Sequence, residues 1–312
     1  MAVLAAGLAL FPGPARGAAQ GGAQDPFELL RIECAGGANP DLVDRCGDAA
    51  VALEALRGGV SLLAAGGSDV PGTASTIGLR LGTVPRVSVA LRLSAARLRT
   101  PEVLSGTASP GTDAFFATAL QVNATVGLLR GFSLDATLGG DLLLLPGGPG
   151  FQDQKSALAF GARLGLLRES FTLPGISLSV MQRNGGTVRF GDLTQGDAAQ
   201  LEWDLSTTSV RATVGKDLLA LGLMGGVGWD WSRGDVRMTL SNTGPGSDAT
   251  ASGDFRTRRT VYFGGASLTF LIAQISLEGG WATGFTGLPA QQADFDPGKA
   301  VPFGSLALRL TF

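Results

Sequence analysis

Along most of the chain, apolar and polar residues alternate with a period of two, the pattern of strands that present one face to each of two environments. Residues 86–97 show it cleanly: Val87, Val89, Leu91, Leu93 and Ala95 share one face, while Arg86, Ser88, Arg92 and Ser94 share the other. The next segment sets Phe116, Leu120, Val122, Ala124, Val126 and Leu128 against Gln121, Asn123 and Thr125. Similar alternation covers 132–144, 157–167, 175–190, 202–215, 218–231, 258–270, 272–285 and 301–312. The connections alternate too. Short links fall near Val84-Pro85, Leu129–Gly131, Glu169–Gly175, Gly215–Asp217 and Leu271; long polar ones fall at 98–113, 146–155, 192–200, 232–256 and 286–300. Short turns at one end and long loops at the other predict an all-β, antiparallel up-and-down transmembrane barrel.

Ahead of these strands the period is that of a helix. After Asn39-Pro40, a cap followed by proline at the first helical position, Leu42, Cys46, Ala49, Leu53 and Leu56 share one face. Asp44, Arg45, Asp48, Glu54 and Arg57 fall mostly elsewhere, and Gly58-Gly59 ends the pattern. This predicts a short amphipathic helix, either packed on the periplasmic side or entering the barrel mouth as a plug. Cys34 and Cys46 are the only cysteines and are expected to pair as a structural disulfide. Residues 2–10 are apolar and are followed by Phe11-Pro12-Gly13-Pro14 and a small-residue tract. They read as a signal peptide spanning 1–23, cleaved after Ala19 or Ala23. The expected organisation is therefore signal 1–23, N-terminal segment 24–57 and barrel 58–312. A weak first strand at Gly58–Ala65 and another from about Ala74 would bring the count to about twelve, within about ten to fourteen, since both barrel ends on one side require an even number.

Composition narrows the chemistry. The 312 residues are 45% hydrophobic and only 16% charged. No apolar run is long enough for a spanning helix, so strands must do any crossing. The charges, 24 Lys+Arg against 26 Asp+Glu, leave no basic footprint for nucleic acid. With no histidine in the chain, Ser-His-Asp and Cys-His catalysis fall away, as does the commonest zinc ligand. Gly225-Gly226-Val227-Gly228 and Gly215-Lys216-Asp217 lack the spacings of phosphate-binding loops. No enzyme, cofactor or metal site is expected; a carboxylate pair drawn from Asp204, Asp230 or Glu278 is the one formal alternative.

In the last strand, Leu306, Leu308, Leu310 and the terminal Phe312 alternate with Ser305, Ala307, Arg309 and Thr311. This resembles the C-terminal strand signature of bacterial outer-membrane β-barrels. The resemblance implies a Gram-negative outer membrane, contact with its lipid, and recognition of that strand by the barrel insertion machinery. The small, hydroxyl-rich stretch Gly66–Arg80 is similar to the region after the N-terminal hatch in the FadL/PorV-like family, which includes transporters of hydrophobic compounds and secretion components. No residue role transfers from that likeness.

On the barrel reading, apolar faces meet lipid and polar faces meet the lumen. The lumen candidates are Arg86, Arg92, Asp135, Asp141, Arg163, Arg183, Asp204, Arg211, Asp230, Arg259, Glu278 and Arg309, together with small residues such as Gly161, Gly165, Gly222, Gly226 and Gly228. Phe132, Phe270 and Phe312 would form the periplasmic aromatic girdle, and Trp203, Trp229, Trp231, Trp281 and Phe285 the outer one. Lumen charges of both signs either close the barrel as a salt-bridge network or line an aqueous path. Two functions follow: a porin-like channel or transporter for a small-molecule solute, hydrophobic ones included, or a closed scaffold barrel that presents outer loops such as 232–256 and 286–300.

Overall fold

The computed structural model describes residues 26–36, 40–76, 85–106, 111–128, 134–144, 150–152, 155–241, 248–284 and 295–312. The signal-peptide reading of 1–23, Phe132 and Phe285 lie outside them. Among the described residues two helices, α1 (Pro26–Ala35) and α2 (Pro40–Ala65), precede ten strands. The strands are β1 (Val87–Pro101), β2 (Thr112–Gly127), β3 (Leu134–Leu144), β4 (Lys155–Leu167), β5 (Gly175–Phe190), β6 (Ala199–Leu218), β7 (Leu221–Leu240), β8 (Ala249–Phe270), β9 (Ala273–Ala282) and β10 (Val301–Thr311). Each strand pairs antiparallel with its sequence neighbours, and β1 closes the barrel on β10 with Leu91 opposite Leu308 and Ser94 opposite Ser305. Closure leaves no sheet edge, the condition hydrocarbon imposes on a spanning sheet.

The barrel has ten strands where about twelve were expected. Gly58–Ala65 is the last part of α2, 66–76 forms no strand, and the remainder of the strand expected from about Ala74, residues 77–84, lies outside the described residues. Gly58-Gly59 does not stop the helix because it lies inside the protein, where packing decides. A Cβ on Gly59 would sit 2.3 Å from Leu98 Cδ2 of β1, so glycine here permits close approach of helix and wall. The barrel thus begins at Val87 rather than at residue 58. The expected loop 232–256 is also mostly strand, as β7 runs to Leu240 and β8 starts at Ala249. The turn after β6 is Leu219-Ala220, beyond the expected Gly215–Asp217.

Strands β6, β7 and β8 hold 20, 20 and 22 residues. A tilted strand needs only about 9–11 to cross a membrane, so half of this wall projects beyond it. The projection is at the long-loop end, because outward-facing Leu221, Leu223, Val227, Trp229 and Trp231 of β7 give way to Arg233, Asp235 and Arg237. Inside the projection the polarity is reversed. Val188, Phe190, Leu201, Trp203, Leu205, Val236, Met238, Leu240 and Phe255 face inward and pack with Leu30, Leu42, Leu53 and Leu56 of the helices. In β5 a register shift between Asn184 and Thr187 accomplishes the switch: Arg183 is buried below it, and Val188 and Phe190 are buried above it.

α2 is not amphipathic. From Leu42 onward it is buried nearly all round, including Asp48, Glu54 and Arg57, as a helix enclosed by a barrel must be. The Cys34–Cys46 disulfide staples α1 to α2. Closing a loop of this size stabilises by about 3 kcal/mol in the chain-entropy model.

Candidate functional site

The lumen is occupied along its length by the chain's own N-terminal segment. α2 enters at the long-loop end, where Arg45 donates to the carbonyls of Ala198 and Ser241. Farther down, Arg57 donates to Phe255 O and Thr257 Oγ1. The helix ends in the polar half of the lumen, where its last carbonyls find donors on the wall: Gln121 Nε2 to Ala64 O at 2.5 Å, and Arg211 Nη2 to Ala65 O at 2.6 Å. Side chains thus satisfy carbonyls that a helix C-terminus leaves open.

Residues 66–75 then descend to the short-turn end through a set of buried ion pairs. Glu278 accepts from Arg92 at 3.2 Å, from the Ser68 hydroxyl at 2.6 Å, and from the backbone N–H groups of Ser68 and Gly72 at 3.0 Å each. Arg92 also donates to Ser68 O at 2.5 Å. Asp69 accepts from Ser179 at 2.5 Å and pairs with Arg183 at 3.4 Å, and Arg183 lies 3.4 Å from Asp141. Arg163 bridges Asp135 at 2.8 Å and Thr73 O at 3.2 Å. Arg211 pairs with Asp230 at 2.6 Å and donates to Gly67 O. At the exit, Ser75 donates to Glu169 in the β4–β5 turn. Gly67 has φ +84°, and a Cβ there would lie 2.5 Å from Glu278 Oε2, so glycine is needed both for the backbone and for the carboxylate's approach.

Of the lumen candidates, Arg92, Asp135, Asp141, Arg163, Arg183, Arg211, Asp230, Arg259 and Glu278 are buried on the inner face, and Arg309 is half-buried near the short-turn end. Two candidates are misplaced. Arg86 is exposed on the rim before β1. Asp204 sits on the outward face of the projecting wall and accepts from Thr187 at 2.8 Å, because inner and outer polarity are exchanged there. The same exchange puts Trp203, expected in the outer girdle, fully inside the barrel. Trp281 is exposed and stacks on Tyr262 at 5.7 Å, while Phe270 and Phe312 are exposed at the short-turn end. The lumen candidates do not include Ser68, Asp69, Gly72 and Ser179. The available signal was that the apolar and small residues of 42–65 fall on every side of the helix, with only a few charges among them, which describes a threaded helix better than a surface one.

No family model and no curated protein matches the chain. Solved structures with a similar backbone include the translocator domain of the autotransporter NalP from Neisseria meningitidis, 12% identical over 75% of this chain and 90% of that one, with a TM-score of 0.36. Others are the attachment invasion locus protein Ail of Yersinia pestis (9%, 73% and 99%, 0.29) and the Pseudomonas putida toluene transporter TodX (9%, 73% and 88%, 0.29).

The class rests on the protein's own surface. Around the short-turn half of a closed barrel, Val89, Leu91, Leu93, Val122, Leu138, Leu158, Phe160, Ile275, Leu277, Leu306 and Leu308 are all exposed, a contiguous apolar belt that water does not tolerate. Closure and this belt together define a transmembrane β-barrel. Leu91→Arg in that belt is expected to cost about 2–4 kcal/mol when unfolding is measured from lipid vesicles, against almost nothing for an exposed site on a water-soluble barrel.

Proposed function

We propose that the protein is a sealed barrel, closed by its own N-terminal segment, that serves as a scaffold holding a rigid polar wall and its loops above the outer membrane. The carrying observation is the continuity of the ties. From Arg45 to Ser75 the segment bonds to the wall at each level, through Ala198, Phe255, Gln121, Arg211, Glu278, Arg163 and Glu169. An aqueous path beside it would compete for these same donors and acceptors. In a planar bilayer the full-length protein is expected to insert without producing current steps.

One observation favours the second reading, passage of a small-molecule solute. Residues 66–75 are held by hydrogen bonds and ion pairs rather than by apolar packing, and water can replace such ties when the segment moves. Reproducible single-channel steps from the untreated full-length protein would establish that reading over the scaffold.

A further inference from the structure

We infer that the outward wall of β7 and β8 carries a binding site for the phosphate headgroup of an outer-leaflet lipid. The inference rests on the membrane assignment above and concerns a surface remote from the lumen. Rising along this wall, Val227 lies opposite Tyr262, Trp229 opposite Thr260, Trp231 opposite Arg258, Arg233 opposite Arg256, and Asp235 opposite Asp254. Apolar residues thus pass into an aromatic layer, and directly on that layer come three arginines. Aromatic side chains of this kind mark the membrane interface, where headgroups lie.

Arg233 and Arg256 are direct cross-strand partners on one exposed face, an arrangement that repels and weakens a sheet unless an anion is shared between them. The protein supplies little of that anion itself. Asp254 reaches Arg256 only at 3.9 Å, with both side chains more than half exposed. No carboxylate pairs with Arg233 or Arg258 among the described residues. Arg258 instead lies over the Trp231 ring, 5.6 Å from its centroid, which holds the guanidinium down at the level of the aromatic layer. Two or three guanidiniums side by side suit the forked recognition of phosphate oxygens.

The occupant is a lipid rather than free phosphate because the basic row is continuous with an acyl-chain surface. On the same face of β7, Trp229, Val227, Leu223 and Leu221 run down from Arg233 to the short-turn end. The acidic row above, Asp235 and Asp254, repels any anion approaching from the aqueous side and leaves the membrane side open.

The test uses full-length protein, stripped of lipid in neutral detergent, and native mass spectrometry of its complexes with lipid A, a bisphosphorylated glycolipid. The unmodified protein is expected to bind lipid A saturably. Arg233→Gln with Arg256→Gln is expected to weaken that binding at least tenfold, and Arg233→Lys with Arg256→Lys to retain part of it. Equal binding by the Gln variant would overturn the site, as would equally tight binding of dephosphorylated lipid A. Inorganic phosphate binding as tightly as lipid A, with the same dependence on the arginines, would overturn the lipid as occupant. Heat-modifiable gel migration after insertion into vesicles is scored separately for each protein: failure there counts against the membrane assignment, whereas loss of lipid A binding by a correctly inserted variant bears on the arginines alone.

Discussion

Replacing Glu278 with alanine is expected to destabilise the barrel by about 3–5 kcal/mol, the usual result of removing one partner from a buried, hydrogen-bonded ion pair. Glu278 closes the contact between the lumen segment and the wall, accepting from Arg92, Ser68 and Gly72 at once. Its loss leaves the Arg92 guanidinium without its ion-pair partner in a fully buried position and two backbone N–H groups without acceptors. The measurement is the urea midpoint of the heat-modifiable gel shift. Adding Arg92→Met to Glu278→Ala should recover part of the loss, since an apolar replacement of both partners removes the stranded charge. A Glu278→Ala protein as stable as the parent would mean that residues 66–75 are not held in the lumen as described.

The second large effect is topological. β1 begins and β10 ends at the short-turn end, which is periplasmic in barrels of this class. Yet α2 begins at the opposite end, beside Ser241 and Ala198, and α1 packs against the upper part of the wall. On that orientation the N-terminal helix is expected on the outer face of the membrane, with the chain running back through the barrel before its first strand. Ile32, exposed on α1, is expected to react as Ile32→Cys with a membrane-impermeant maleimide on intact cells, with Cys34 and Cys46 kept in their disulfide. Phe171→Cys, in the fully exposed β4–β5 turn, should react only after the outer membrane is permeabilised. The reverse pattern would invert the orientation.

How far the sequence could be read depends on which environment each residue meets. Within the membrane, alternation translates directly: Leu91 faces lipid and Arg92 the lumen, and the same holds for Leu164 and Arg163, or Leu277 and Glu278. Above the membrane the code changes sign, because water lies outside the wall and helices lie inside it. For that single reason Trp203 faces inward and Asp204 outward, opposite to what in-membrane alternation predicts. The expected first strand, Gly58–Ala65, is lost because residues of strand-like appearance continue a helix whose stability comes from burial on all sides. The lumen network was half legible. Its arginines and carboxylates on the strands stood out by parity, but their partners Ser68, Asp69 and Gly72 lie in a stretch without periodicity, and only the fold shows that it returns through the barrel.

The most direct test of threading is a proximity measurement inside the barrel. Ala64→Cys with Gln121→Cys places thiols on α2 and β2 at a point where the parent residues are in hydrogen-bond contact. A short bifunctional thiol crosslinker applied to native outer membranes is expected to join them in most molecules, as readily as it joins the cross-strand control Ser94→Cys with Ser305→Cys. Efficient reaction of the control pair with none at 64 and 121 would show that the N-terminal segment is outside the lumen, and would contradict the sealed barrel.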